Sequence, residues 1–309
     1  MINALLEALQ FGFMRNALVA GALVSIACGV IGTFVVVKRM VFVSGGIAHA
    51  AYGGIGLGYF LDGRTINVCE RVLNVRVNPV LGAIVFSLAA ALGMGTVQRK
   101  TRQRADTLIG VMWAIGMALG IVFVDLTESY KVDLMSYLFG SILAVPRSDL
   151  LIMLALDGVV ITLVALFYKE LLAVSFDETF ATVENVPVDA IYIILLCMIA
   201  LTVVMMMRVV GLIMVIALLT MPAAISAQFV KDIGKMMVLA SVLGVIFTTT
   251  GLWLSYFLNL TSGATIILVS GAVYLLSLVV THVTGGQGDD TRTSGPESQA
   301  AEDKESALA

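Results

Sequence analysis

Long apolar runs separated by short polar breaks occupy most of this sequence between residues 16 and 282. A helix that crosses a bilayer needs about 20 mostly apolar residues. Runs close to that length cover residues 16–37, 45–61, 79–97, 106–124, 149–168, 190–207, 209–229, 236–258 and 263–282. The pattern predicts an all-α polytopic membrane protein with a bundle of eight to nine transmembrane helices. The number is left open because only Arg208 and Gly211 interrupt two of the runs.

The runs predict one transmembrane domain over residues 1–284. Three segments outside the runs predict other elements. Residues 133–146 are apolar but too short to cross, which favours a re-entrant or interfacial segment. Residues 1–14 carry apolar side chains at helical spacing and no signal-peptide pattern, which predicts an amphipathic surface helix. Residues 285–309 are rich in Gly, Ser, Thr, Asp and Glu, and this composition predicts a disordered tail.

Composition excludes a soluble fold. The chain of 309 residues is 60% hydrophobic and 13% charged, whereas soluble domains carry about 25% charged residues. The net charge of −3 says little, because acids cluster in residues 289–306 and bases in residues 98–104, and no basic face suits nucleic acid. Three cysteines without paired spacing argue against a disulfide framework.

The distribution of lysine and arginine predicts the orientation of the chain, because cytoplasmic loops carry an excess of these residues. The densest basic group lies within residues 98–104, which predicts a cytoplasmic loop. Counting spans from there places Lys38–Arg39, the 169–189 loop, Lys231–Lys235 and the C-terminal tail on the same side. The 62–78 loop then lies outside, although it contains Arg64, Arg71 and Arg76.

The 169–189 loop is longer than the other loops predicted to be cytoplasmic. It contains Ser175 and Asp177 as candidate helix caps, a short helical stretch, and Pro187 as a stop. Such a helix can dock onto a soluble partner, or it can be a plain interfacial connector. Composition alone favours the connector.

Ionisable groups at membrane depth are costly and are therefore functional candidates. His49 and Asp157 are the two that lie well inside apolar runs. His49 is either a packed histidine bonded to a carbonyl or a metal ligand, since imidazole suits zinc, copper, iron and nickel. Asp157 either pairs with a neighbouring span or faces a water-filled path. Interfacial solvation accounts for the charges at the end of another span, which are Asp125, Glu128, Lys131 and Asp133.

The run that contains His49 is crowded with small residues, which allow helices to approach closely. Gly53, Gly54 and Gly58 are the predicted packing positions, and Gly54 and Gly58 form a GxxxG pattern. The sequence lacks two motifs that would indicate other functions: a P-loop for ATP and an HExxH zinc motif. Met205–Met207 cannot converge on one ion, because consecutive residues face different sides of a helix.

Four stretches in order carry a resemblance to a known family. They are Lys38–Phe42 leading into Ile47–Ala50 and Gly53–Gly58; Ser136–Leu143; Ser175–Ala181 with Val186–Pro187; and Val210–Ile213 with Ala217–Ala224. Together they resemble the membrane permease subunit of zinc, manganese and iron type ABC importers. The resemblance implies a multi-pass protein of the cell membrane that is not itself an enzyme and holds no permanent cofactor.

The resemblance also implies partners and a transported divalent metal ion. Two copies form the pathway in the bilayer, two ATP-binding subunits dock on the cytoplasmic side, and an extracytoplasmic metal-binding protein delivers the ion. The 175–187 loop becomes the coupling helix, so docking replaces the connector as the favoured interpretation. The residues implied in coupling are Ser175, Phe176, Asp177, Glu178, Ala181, Val186 and Pro187.

One position departs from the family pattern. An acidic residue often precedes the histidine by four positions, where the two can share a cation on one helix face, but this chain has Gly45 there. Either the ion passes with one protein ligand here, or a carboxylate comes from elsewhere, and Asp157 is the hypothesis for that second ligand. The metal stays open among zinc, manganese and iron. A gradient-driven secondary transporter, or the same architecture with a non-metal substrate, are the alternatives.

Overall fold

The computed structural model describes residues 10–61, 64–68, 71–75, 79–101, 105–127, 138, 140, 142–209, 211–212 and 215–285. Most of the predicted N-terminal amphipathic helix, the tail from residue 286, and most of the 133–146 segment lie outside these residues. So do Glu128, Lys131 and Asp133. The described end of the 133–146 segment holds a 3-10 turn at Ile142–Ala144.

The described residues form eleven α-helices and one hairpin. In chain order these are α1 Gly12–Val37, α2 Val41–Leu61, β1 Arg64–Val68, β2 Arg71–Val75, α3 Pro79–Thr101, α4 Ala105–Asp125, α5 Arg147–Leu166, α6 Tyr168–Phe176, α7 Glu178–Val183, α8 Val188–Val209, α9 Val215–Phe229, α10 Ile233–Leu258 and α11 Ser262–Gly285. The two strands pair antiparallel, from Arg64 opposite Val75 to Val68 opposite Arg71.

Eight of these helices are long and apolar enough to cross a membrane: α1 to α5, α8, α10 and α11. The predicted all-α bundle of eight to nine spans is therefore confirmed, and the hairpin adds a small β element in the 62–78 loop. The run 209–229 is not one continuous span. Its helical part is α9, whose 15 residues rise about 22 Å, short of the roughly 30 Å hydrocarbon core. Gly211, at φ 87°, lies in the break between α8 and α9.

The core lies around α1, α2 and α8, whose apolar windows are the most buried. Helix α1 packs against α10, α9, α5 and α8, whereas α2 packs mainly against α3 and α4. Met205, Met206 and Met207 are all buried in this core. The last turns of α8 are buried on all sides from Thr202 to Met207, so three consecutive apolar side chains there find protein contacts.

Helix α2 approaches both neighbours at backbone distance through its glycines. A Cβ atom on Gly53 would lie 2.9 Å from the Gly116 carbonyl oxygen, and one on Gly58 would lie 2.6 Å from Cα of Pro79. Gly54 and Gly82 are in mutual contact, so a Cβ on either would overlap the carbonyl of the other. The small residues therefore set the spacing of α2 from α3 and α4.

Replacing Gly54 with leucine should destabilise the protein, because the side chain has no room against the Gly82 carbonyl. Overpacking of this kind costs about 1–3 kcal/mol, and occasionally more. Thermal unfolding of the purified protein in detergent measures the effect. Gly93→Leu on α3 is the matched control, because a Cβ there meets nothing within 4 Å. Equal melting temperatures for the two variants would contradict this description of the α2–α3 contact.

Candidate metal pathway and coupling segment

His49 lies in the third turn of α2 and is 6% exposed. Its Nδ1 atom is 2.9 Å from the carbonyl oxygen of Gly45, one turn earlier. A carbonyl oxygen only accepts hydrogen bonds, so Nδ1 is the donor and the neutral ring has its lone pair on Nε2. The packed histidine and the ligand are thus compatible interpretations: one ring nitrogen is fixed by the backbone and the other is free to bind a metal.

The imidazole of His49 stacks on the indole of Trp113 in α4, with ring centroids 4.2 Å apart and an angle of 29° between the planes. Trp113 is 37% exposed and lies at the surface of the single chain. It covers one face of the imidazole and restricts the ring's rotation. Sequence reasoning missed Trp113, since it lies 64 positions from His49 and no local spacing connects the two.

The space beside Gly45 is filled by apolar side chains. A Cβ atom at this position would lie 2.8 Å from Cδ1 of Ile216 and 3.1 Å from Cζ3 of Trp113. A carboxylate in place of Gly45 would collide with both groups unless they moved. Where the family often has a carboxylate, this chain has Gly45, and Ile216 and Trp113 fill the space that the carboxylate would occupy.

Asp157 lies at the centre of α5 and is 3% exposed. Neither carboxylate oxygen has a hydrogen-bond partner among the described residues. Helix α5 packs against α1. An isolated ionised carboxylate in an apolar interior is very costly, so this group requires a proton, a cation or water to neutralise or solvate it.

His49 and Asp157 lie at similar depth but against different neighbours. Counted from the helix ends at Val41 and Leu166, they are about 12 Å and 13 Å into the bundle. His49 contacts α4, whereas Asp157 lies beside α1, and no hydrogen bond or ring contact among the described residues joins them. Those residues contain no cluster of three or more His, Cys, Asp or Glu side chains that could hold a metal.

We call residues 175–187 the coupling segment, after the role that the resemblance implies. The helix of this segment begins later than the sequence predicts. A helix was predicted over residues 175–187, but Ser175 belongs to α6, and Asp177 separates α6 from α7 with an extended backbone. Asp177 Oδ1 accepts hydrogen bonds from the backbone nitrogens of Thr179, at 2.8 Å, and Phe180, at 3.1 Å. This cap starts α7 at Glu178. The bonds from Phe180 and Thr179 also hold the pKa of Asp177 below its usual value.

Ser175 is therefore not a cap, and its hydroxyl is buried without a hydrogen-bond partner in the part of the chain the structure describes. Helix α7 ends at Val183, and Asn185 adopts a left-handed backbone with φ 58°. Pro187 immediately precedes α8, so it stops the loop and starts the next span. The helix of this loop is therefore the six residues Glu178–Val183.

The coupling segment has a distinct outer face. Phe176, Phe180 and Val183 are 68%, 58% and 74% exposed, and we call these three residues the apolar stripe. Ala181 is fully buried and faces the bundle. Large exposed apolar side chains on a charged loop are typical of a protein contact surface.

The inner face of α7 is ionic. Glu178 forms salt bridges with Lys38, at 2.9 Å, and Arg99, at 3.2 Å, and Arg99 also pairs with Asp189 at 3.3 Å. We call these four residues the ionic cluster. Burial alone would raise the pKa of Glu178, but the hydrogen bond from Lys38 and the charges of Lys38 and Arg99 outweigh it and lower that pKa. Glu178 is therefore ionised at neutral pH.

The ionic cluster brings the Lys38–Arg39 turn, the end of α3 and the 169–189 loop to one end of the bundle. The expectation that these segments share a side of the membrane is thereby met in the fold. Sequence analysis singled out Glu178 but not its contacts, because Lys38 lies 140 positions away and Arg99 lies 79 positions away.

Comparison with known proteins gives consistent matches over nearly the whole chain. Residues 10–281 match the ABC 3 transport family. The membrane protein slr2045 of Synechocystis is 59% identical over 90% of this chain and 94% of its own length. The manganese transport system membrane protein MntC of Listeria monocytogenes is 35% identical over 88% and 91%. The structure of PsaBC from Streptococcus pneumoniae has 31% identity and a TM-score of 0.78, covering 90% and 95%.

Proposed function

Because this chain belongs to the ABC 3 transport family, we propose that it is the transmembrane pathway subunit of an ATP-driven importer of divalent transition metal ions. The observation that carries the proposal is the coupling segment, whose apolar stripe faces away from the bundle while its inner face is bonded to the spans. Three large apolar side chains that face away from the bundle, opposite an ionic inner face, are the pattern expected of a surface that a protein partner covers. The sequence has no P-loop, so ATP hydrolysis belongs to separate ATP-binding subunits.

His49 is the first proposed ligand of the ion in transit. Its Nε2 lone pair is available because Gly45 holds Nδ1 as the donor. The carboxylate of Asp157 is the second proposed ligand, acting at a separate point at similar depth rather than together with His49. Weak binding by few ligands suits passage, because an ion that is bound too tightly does not leave.

The proposed assembly contains two copies of this chain in the lipid bilayer, two ATP-binding subunits beneath them, and an extracytoplasmic metal-binding protein above. ATP binding draws the ATP-binding subunits together and moves both coupling helices. The paired spans then shift between states open to opposite sides, as in other two-state transporters. The ion is cargo in this scheme and not a resident cofactor.

The cargo is proposed to be manganese, zinc or iron. The MntC proteins of Listeria are named for manganese transport, and carboxylate oxygen is a ligand type that suits manganese, whereas imidazole also suits zinc and iron. Uptake of radioactive manganese by cells that express the full importer, with zinc or iron added in excess, tests this directly. Importer-dependent uptake of manganese supports manganese as a cargo, and its inhibition by zinc or iron extends the cargo to that ion. No uptake above that of cells without the importer would contradict manganese as the cargo.

Replacing Asp157 with asparagine should lower metal uptake by about tenfold, because the amide keeps the shape but loses the charge that attracts a cation. Association with the ATP-binding subunit should be unchanged, since Asp157 is buried at the centre of α5 and is not part of the apolar stripe. Asp106→Asn is the matched control: Asp106 lies in the first turn of α4 and is exposed. Uptake by Asp157→Asn equal to that of the control would exclude Asp157 from the pathway.

A further inference from the structure

The ionic cluster connects the coupling helix to the ends of three spans. Glu178 is the first residue of α7, and each of its carboxylate oxygens binds a different base. Lys38 directly follows α1, and Arg99 lies in the last turn of α3. Arg99 also pairs with Asp189 in the first turn of α8. A movement of α7 therefore acts on α1, α3 and α8 through side-chain contacts.

Lys38 is the most enclosed member of the ionic cluster, with a side chain only 8% exposed. Its Nζ atom also donates a hydrogen bond of 2.8 Å to the carbonyl oxygen of Val174, in the last turn of α6. One ammonium group thus holds the end of α6 and the start of α7 together. Buried charges of this kind are costly to leave unpaired, so the contact with Glu178 is expected to persist as α7 moves.

The aromatic ring of Tyr192 in α8 packs against the two bases of the ionic cluster. The Arg99 guanidinium lies 4.6 Å from the centre of its ring, and the Lys38 ammonium lies 5.9 Å from it. The Tyr192 hydroxyl donates a hydrogen bond of 2.8 Å to Gln98 of α3. These contacts fix the directions of both bases toward Glu178.

The helices that the ionic cluster contacts pack against the helices that carry His49 and Asp157. Helix α1 packs against α5, the helix that carries Asp157. Helix α3 is in backbone contact with α2 through Gly82 and Gly54, and α2 carries His49. The cluster therefore lies on a continuous line of packed elements between the apolar stripe and both pathway positions.

We propose that the ionic cluster is the joint that transmits movement of the coupling helix into α1 and α3, with Glu178 as its positioning residue. This inference rests on the proposed function, because it requires an ATP-binding partner that moves α7. The apolar stripe binds the partner, and the ionic cluster passes the movement on. Loss of the cluster then separates ATP hydrolysis from transport without detaching the partner.

The test uses the full importer reconstituted in vesicles and measures metal uptake and ATP hydrolysis in the same sample. Glu178→Gln should lower uptake by about tenfold, within the usual range of coupling between sites, while ATP hydrolysis stays within about twofold of the unaltered protein. Glu184→Gln is the matched control. It removes the same charge at the other end of α7, where Glu184 is exposed and forms no ion pair with the described residues.

A double-variant cycle identifies the partner of Glu178. Lys38→Met should reproduce the loss of coupling, and the pair Lys38→Met with Glu178→Gln should be no worse than the more severe single variant, because each change already removes the Lys38–Glu178 salt bridge. Recovery of each variant in complex with the ATP-binding subunit establishes that it has folded. Uptake and hydrolysis that fall in proportion, or a Glu178→Gln variant with the same uptake per ATP as Glu184→Gln, would overturn the inference. If the unaltered importer takes up no metal with ATP, the proposed function itself fails.

Discussion

Replacing His49 with alanine is expected to reduce ATP-dependent metal uptake by about 100-fold, the upper part of the range for disrupted metal sites. The imidazole is 6% exposed, its orientation is fixed by Gly45 and Trp113, and its Nε2 lone pair is available to a metal ion. Alanine removes that ligand and leaves Trp113 without its stacking partner. Uptake of radioactive metal into vesicles measures the loss.

The control for this variant is His282→Ala, which removes the other histidine of the chain, at the exposed end of α11. Stimulated ATP hydrolysis by the assembled complex should survive in His49→Ala, because α2 lies apart from the apolar stripe. Uptake by His49→Ala equal to that of His282→Ala would remove His49 from the pathway and leave it a packed core residue.

Replacing Phe180 with aspartate is expected to detach the ATP-binding subunit and abolish uptake. Phe180 is 58% exposed at the centre of the apolar stripe. Central aromatic residues of an interface commonly contribute about 2 kcal/mol or more to binding, or about 30-fold in affinity. An added carboxylate would also have to be desolvated on docking. Co-purification of the ATP-binding subunit with the tagged variant measures the loss.

Phe229→Asp is the matched control for the docking prediction. Phe229 is 59% exposed at the last residue of α9, so the same substitution is made on an exposed phenylalanine outside the coupling segment. The control should retain the ATP-binding subunit. Equal recovery of that subunit with Phe180→Asp and Phe229→Asp would show that the apolar stripe is not the docking surface.

The membrane fold was largely predictable, because the length and hydropathy of each apolar run reflect the thickness of the bilayer. The division between α8 and α9 was harder to predict. The sequence shows only Arg208 and Gly211 there, whereas the helix of the 209–229 run begins at Val215. The positive φ of Gly211 is a backbone property that no hydropathy pattern reports.

The capping residues in the sequence predict the start of the coupling helix only approximately. Both Ser175 and Asp177 are favourable capping residues, and the sequence does not choose between them. The choice depends on where α6 ends, which is set by the packing of Leu171 and Val174 into the core. Asp177 is the first residue after that packed turn and becomes the cap.

The candidate site was predictable as single residues but not as an arrangement. His49 and Asp157 stand out because charge is rare in the spans. The residues that complete the sites do not stand out in the sequence. Trp113 and Ile216 lie beside Gly45, and Lys38 lies beside Glu178, but each comes from a distant part of the chain. Only tertiary packing brings these residues together, so no spacing in the sequence could have indicated them.

Uptake of metal by the chain reconstituted in vesicles, with and without its ATP-binding subunit, is the most direct test of the central claim. The expected result is uptake that requires both the subunit and ATP and that stops when vanadate blocks hydrolysis. Uptake driven by an ion gradient, without the ATP-binding subunit and unaffected by vanadate, would contradict the claim and identify the chain as a secondary transporter.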